Sequence, residues 1–198
     1  MTPDAPPGDA EADRDLSPAD RERDPADRDL HPASRDPEHA GRDRDDAGRP
    51  RNARPRDALG RPLPRGAPGA ERVPDDLSLP PADALALAQQ LLDTGRPFHA
   101  HEVLEASWKQ APQQERDLWR GLAQVAVGLT HAQRGNSRGA VALLRRGTQR
   151  ISEYSGRAPH GIDAGGIALA CTELADRIAA DAVADVAGAD LRIRLTRG

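Results

Sequence analysis

From Asp75 onward, apolar residues recur at three- and four-residue intervals, and glycine, proline and asparagine interrupt them at spacings that suit helices. Ser78 is placed to cap a first helix with Pro80 and Pro81 in its first turn. Leu85, Ala88, Leu91 and Leu92 form its stripe, and Gly95 ends it. Pro97 opens a second helix that must stop before Pro112, because an internal proline removes a hydrogen bond and clashes with the preceding turn. A third is predicted from about Gln113 to Arg134, where Gly135-Asn136 turns the chain. Ser137 caps a fourth that ends near Tyr154 to Gly156. Asp163 caps a fifth whose stripe is Ile167, Cys171, Leu174, Ile178 and Ala182. The third is the central one: Leu118, Leu122, Val125 and Leu129 make one stripe, while Trp119, Ala123, Ala126 and Val127 add apolar surface elsewhere on its girth. Only Leu191, Ile193 and Leu195 alternate with polar residues, and a lone strand makes no sheet. The expected fold is all-α: a compact bundle of about five helices, residues 77–198, with an extended C-terminal segment lying along it.

Residues 1–76 carry no such pattern. Of the 18 prolines, 13 precede Asp75, and that stretch holds no Phe, Trp or Tyr. It cannot bury enough apolar surface to offset a chain entropy of roughly 1 to 2 kcal/mol per residue, so a long disordered, low-complexity tail is expected. Arginine repeats every seven residues at Arg14, Arg21, Arg28, Arg35, Arg42, Arg49 and Arg56, usually followed by an acid. A coiled coil would need apolar residues at two positions per heptad, and here Pro, Asp and Arg stand there. The repeat reads as a charge-alternating spacer. Lys109 is the only lysine, and Ala, Gly, Pro and Asp abound, which fits a GC-rich, bacterial coding sequence in which Val73 is an alternative start.

The 198 residues include 32 acids and 28 bases, a net charge of −4, which gives no general pull toward nucleic acid or lipid. No stretch approaches the roughly 20 apolar residues of a membrane span. A single cysteine rules out a disulfide framework, and Cys171, within an apolar run, reads as a small buried hydrophobe. A cytoplasmic protein is expected.

The most specific text is His99-Ala100-His101-Glu102-Val103-Leu104-Glu105-Ala106-Ser107-Trp108. At 100° per residue, Ala100, Leu104 and Trp108 centre the buried face, with His101 at its edge and Glu105 one turn along the rim. His99 falls on the polar side and is expected in solvent. This run resembles the signature of a small all-helical family known as domain of unknown function 309. The resemblance continues through Gly121-Leu122-Ala123-Gln124-Val125-Ala126-Val127-Gly128-Leu129-Thr130-His131 and through Arg134-Gly135-Asn136-Ser137-Arg138-Gly139-Ala140. It implies a fold rather than an activity, and carries over His101, Glu102, Glu105, Trp108, Gln124, His131 and Asn136 as the motif residues.

Two chemistries compete at this motif. His101 and Glu105 share a helix face, as do Gln124 and His131, and bundles do build metal sites from facing helices, so His101, Glu105 and His131 are the candidate ligands of a divalent metal. The plainer reading is a His–Glu hydrogen-bonded pair beside Trp108 that fixes how the second and third helices meet, with no metal and no cofactor. Arg138, Arg145, Arg146 and Arg150 form a basic face on the fourth helix that suits a phosphate backbone or an acidic partner. Base-stacking aromatics are missing from it, so a solvated face is the preferred reading. Ala164-Gly165-Gly166-Ile167 lacks the spacing of a phosphate loop, and Ser107 and Cys171 lack nucleophile motifs. His160, His31 and His39 show no usable spacing. The expectation is therefore a non-catalytic module for a protein partner or small ligand. An enzyme using His101 and Glu105, or a nucleic-acid or acidic-partner module using the basic face, are the alternatives.

Overall fold

The computed structural model describes residues 55–57, 59–64, 66–70, 73–74, 76–180 and 191–197, all within one compact unit, Arg42–Gly198. The expectations for residues 1–54, the heptad repeat among them, and for Ala182 lie outside the described residues. Among the described residues, five α-helices follow one another: α1 (Pro81–Asp93), α2 (Pro97–Gln110), α3 (Arg116–Gln133), α4 (Ser137–Ser152) and α5 (Ala164–Ala180). Each packs on its successor in the chain, and α3 against α4 is the most extensive contact. No described helix is long and apolar enough to cross a membrane.

The punctuation explains the helix ends. At the close of α1 the Gly95 amide bonds Leu92 O and the Arg96 amide bonds Leu91 O; at the close of α3 the Gly135 amide bonds Ala132 O and the Asn136 amide bonds His131 O. Both pairs satisfy carbonyls that the helix leaves open, and both need a left-handed residue, here Gly95 at φ +72° and Gly135 at φ +77°. Two caps differ from the sequence reading. α1 begins at Pro81 with Pro80 as its cap, and the Ser78 hydroxyl instead donates to Gln110 Oε1 at 2.7 Å, tying the chain before α1 to the end of α2. α4 is capped one residue earlier than expected: Asn136 Oδ1 accepts from the Gly139 amide at 2.9 Å. Asp163 caps α5 as expected, its Oδ1 accepting from the Gly166 amide at 3.1 Å.

From Gly121 to Thr130 every residue of α3 is buried, which makes it the axis of the bundle. Such burial requires close neighbours on several sides, and glycine provides the closest. A Cβ built on Gly147 would lie 2.8 Å from both Gly121 O and Val125 Cγ2, and one on Gly121 would lie 2.8 Å from Ile151 Cγ1. The α3 and α4 backbones therefore meet nearly directly, with Gly128 beside Leu144 one turn further on. Around this contact the core is almost wholly aliphatic, with Trp119 the one large aromatic fully inside it.

The C-terminal segment lies extended, as the alternation predicts, and buries Leu191, Ile193 and Leu195. Its polar backbone is satisfied from two sides. The Leu195 amide donates to Gln89 Oε1 of α1 at 2.8 Å, Gln89 Nε2 donates to Ile193 O at 3.2 Å, and the Asp163 amide donates to Leu195 O at 2.9 Å. An isolated bridge pairs Ile162 with Thr196.

The stretch from Pro55 to Ala70 departs from the expectation of a tail reaching to residue 76. Gly60 is buried against the Phe98 ring, and Arg134 donates through both Nε and Nη2 to Leu59 O. Composition gives no sign of this, because the contact rests on one glycine, one carbonyl and side chains supplied by the helices.

Two glycine substitutions should move stability in opposite directions. Gly147→Val forces the α3–α4 backbones apart and is expected to cost about 1 to 3 kcal/mol or more. At Gly165, in the first turn of α5, an added Cβ meets nothing, and Gly165→Ala should stabilise by up to about 1 kcal/mol through backbone entropy. Thermal or denaturant unfolding of the two variants checks both signs.

Candidate functional site

The first half of α2 is buried on two sides. Pro97, His99, Ala100, His101, Val103 and Leu104 are all enclosed, so the buried arc spans about 200° instead of a single stripe. The reason is tertiary: α2 lies against both α1 and α3. His99, expected in solvent, is accordingly 2 % exposed, with its ring edge-on to Phe98 at 5.5 Å between centroids. Phe98 itself stands on the remaining face.

His101 is 4 % exposed, and its Nε2 lies 3.6 Å from Glu105 Oε2, an ion-pair approach one helical turn apart that is longer than a hydrogen bond. Glu105 Oε1 is 2.9 Å from Lys109 Nζ, so the carboxylate is shared between His101 and the chain's single lysine. Glu105 is 13 % exposed and Lys109 64 %, so this chain of contacts opens to solvent toward its Lys109 end. Glu102 is partly buried on the flank of α2. Trp108 is half-buried rather than central, because α2 buries no residue fully beyond Leu104. Its ring packs on the core from one side, and the Arg120 guanidinium of α3 lies 5.6 Å from its centroid.

Gln124 is completely buried in α3, and neither end of its amide finds a hydrogen-bond partner among the described residues. A buried amide in that condition is costly, and it makes Gln124 a polar seed within the otherwise aliphatic axis of the bundle. His131 takes no part in an α2 cluster. Asn136 Nδ2 donates to its Nδ1 at 2.7 Å while Asn136 Oδ1 caps α4, so His131 and Asn136 together brace the α3–α4 turn. Gly139 belongs to the same brace: a Cβ there would collide with the His131 ring and the Asn136 amide. The motif residues thus fall into two groups, His101, Glu105 and Trp108 on α2 and His131 with Asn136 at the turn. Among the described residues no three His, Cys, Asp or Glu side chains gather as a metal-binding group, so His131 does not join His101 and Glu105.

The basic face of α4 is also divided. Arg145 pairs with Asp176 of α5 and Arg150 with Asp117 of α3, each at 2.9 Å. Arg138 is exposed and Arg146 partly buried. Two of the four arginines, Arg145 and Arg150, thus neutralise acids on the helices flanking α4, and the four do not present one uncompensated cationic strip.

Two clusters were not anticipated. At the start of α3, Trp119 Nε1 donates to Glu115 Oε2 at 3.2 Å, and the same oxygen lies 2.8 Å from His160 Nε2. His160 adopts φ +59°, a left-handed conformation uncommon outside glycine. The Glu115–Trp119 spacing of four was readable in the sequence, but a loop residue joining it was not. The second cluster centres on Phe98, whose ring has the Arg56 guanidinium at 5.6 Å and that of Arg134 at 5.9 Å. Burial, then the like charge of Arg56, lowers the Arg134 pKa from its ordinary value, while Asp57 opposes that shift. Cys171 is fully enclosed in α5, and burial pushes its thiol up to about 12.

An all-helical bundle built around His101–Glu105 and a Gly-Asn turn is the class of protein these features define. Residues 85–143 match the family model described as "Domain of unknown function (DUF309)", which bears out the resemblance carried by the motif. The matched stretch runs from α1 into α4 and leaves Pro55–Ala70, most of α4 and all of α5 outside it. Among curated proteins, the chain is similar to the uncharacterized protein YpuF of Bacillus subtilis (strain 168), at 44 % identity over 48 residues, covering 24 % of this chain and 28 % of that protein. No solved structure matches.

Gly139→Ala should destabilise by about 1 to 3 kcal/mol despite the higher helix propensity of alanine, because the His131–Asn136 brace must shift. A melt no lower than that of the parent would show the brace to be pliable. Cys171 should resist thiol reagents at pH 8 until the chain is unfolded. Its folded pKa lies above the ordinary 9.0, so the stability it contributes is complete below about pH 9 and is lost as pH rises toward 12. Thiol titration in native buffer and in denaturant, together with melts across that pH range, checks both.

Proposed function

We propose that the chain is a non-catalytic helical interaction module, binding a protein partner or small ligand, with no metal or cofactor at its motif. One observation carries this reading: the motif's polar groups are turned on each other and inward, with His101 buried, Glu105 shared by His101 and Lys109, and His131 held by Asn136. A general acid or base must reach the proton it moves, and a metal ligand set must converge. Pairings of this kind instead satisfy polar groups along one helix and brace the turn that follows another. A shallow open depression of about 700 Å³ lies elsewhere, lined by Glu173, Asp176, Arg177 and Ala180, and holds no motif residue. A cytoplasmic setting goes with this reading, since the one cysteine is buried and unpaired.

An acid/base or metal-dependent enzyme at His101 and Glu105 is the second reading, favoured by their approach at a one-turn spacing with Glu105 reaching solvent. Elemental analysis of the full chain purified without an affinity tag, with melts in the presence and absence of chelator, separates the two. We expect no stoichiometric metal, no chelator effect, and a cost of about 1 to 3 kcal/mol for Glu105→Ala, which strips His101 of its carboxylate. Near-equimolar metal that disappears in Glu105→Ala while the fold persists would overturn the module reading. Trp108→Ala should cost less than a fully enclosed tryptophan would, about 1 to 3 kcal/mol, because one side of the ring is already open.

A further inference from the structure

The described residues between Pro55 and Ala70 form a folded clasp. Asp57 Oδ1 accepts from the Leu59 amide at 3.0 Å and from the Arg61 amide at 2.7 Å, the Gly60 amide donates to Asp57 O at 2.9 Å, and the Asp57 amide donates to Arg61 O at 3.0 Å. Arg56 bridges to Pro62, and the Ala70 amide returns to Arg56 O at 2.8 Å. One aspartate side chain thereby closes a tight turn whose apex is Gly60 at φ +74°.

The apex is fitted to a receiving surface. Gly60 lies so close on the Phe98 ring that a Cβ would overlap it, Leu59 O receives both donors of Arg134, and the Arg56 side chain folds back to donate to Gly60 O at 2.8 Å while its guanidinium faces the same ring. Phe98 on α2 and Arg134 at the end of α3 thus read two features of the turn, a bare glycine and an outward carbonyl. This recognition is largely polar and local. Of the described clasp residues only Gly60 is buried, and Leu59 and Leu63 stay partly exposed. Ordering such a stretch costs backbone entropy, and little apolar burial offsets it. The docked form is therefore held by a narrow margin.

We propose that Phe98 and Arg134 form a docking surface for a glycine turn, and that the chain's own Asp57–Arg61 turn is its resident, displaceable occupant. A partner peptide presenting a glycine and a free carbonyl in the same geometry competes for that face. The clasp lies outside the stretch matched by the family model, so it is an addition that covers an α2 face of the matched core. This assignment is independent of the module reading, since the turn covers Phe98 whatever His101 and Glu105 do.

The test uses the full chain. Gly60→Val cannot seat on Phe98 and strains the left-handed apex, and because residue 60 precedes every described helix the bundle should keep its circular dichroism and melt as one unit. Asp57→Ala, which removes the brace, serves as a second release variant. The readouts are native-state trypsin cleavage after Arg56, and anisotropy of a labelled synthetic peptide of residues 52–66. The parent should be cleaved slowly there and should ignore the peptide. Both release variants should be cleaved about tenfold faster or more and should bind the peptide. Adding Arg134→Gln to Gly60→Val should abolish that binding. Parent-like protection in both release variants, or no peptide binding by either, overturns the proposal. Protection in the parent that falls on dilution also overturns it, by placing the turn on a second copy of the chain.

Discussion

The near-contact of the α3 and α4 backbones at Gly121 and Gly147 is the constraint from which the rest of the molecule follows. With no side chain between them, the two helices sit close enough for every residue from Gly121 to Thr130 to be enclosed. That enclosure leaves bases of α4 to reach sideways, Arg145 to α5 and Arg150 to α3. It also demands a short, stiff connection at the turn. The Gly135 reversal, the Asn136 cap and the His131 ring supply it, and another glycine, Gly139, makes room for them. Geometry of this kind tolerates little variation, because packed interiors respond to a single added methyl group.

The motif on α2 takes its meaning from this arrangement. Its polar side chains stand at a helix contact where any unpaired group would be expensive, and they are tied to one another along the helix. Gln124, buried in the adjacent helix without a partner of its own among the described residues, is the exception, a polar group the aliphatic axis does not satisfy.

The molecule also shows how little apolar matter is needed to place a segment. The described residues of the clasp contribute no fully buried aliphatic side chain, yet they are positioned by a carbonyl, a glycine and two guanidinium groups around one phenylalanine. Two like charges beside one ring oppose each other, and Asp57, which braces the turn, is also the acid that offsets them at Arg134. The same residue thus shapes the loop and eases the charge at its docking point.

Periodicity and punctuation were enough to read the five helices, the central place of α3 and the extended course of Leu191 to Leu195, because amphipathic spacing and chain breakers are local properties. The pairing of His101 with Glu105 was legible for the same reason, as one helical turn separates them. Tertiary structure alone decided the rest. His99 is buried because a second helix covers the side that the pattern leaves polar, and His131 meets Asn136 of the turn that follows it. The α4 arginines part toward acids on two different neighbours, and His160 meets Glu115 across 45 residues of chain. Residues 55–70 dock through backbone groups that composition does not register. Each of these depends on which surfaces meet after the helices have formed, and a one-dimensional pattern carries no distance between residues that lie far apart along it.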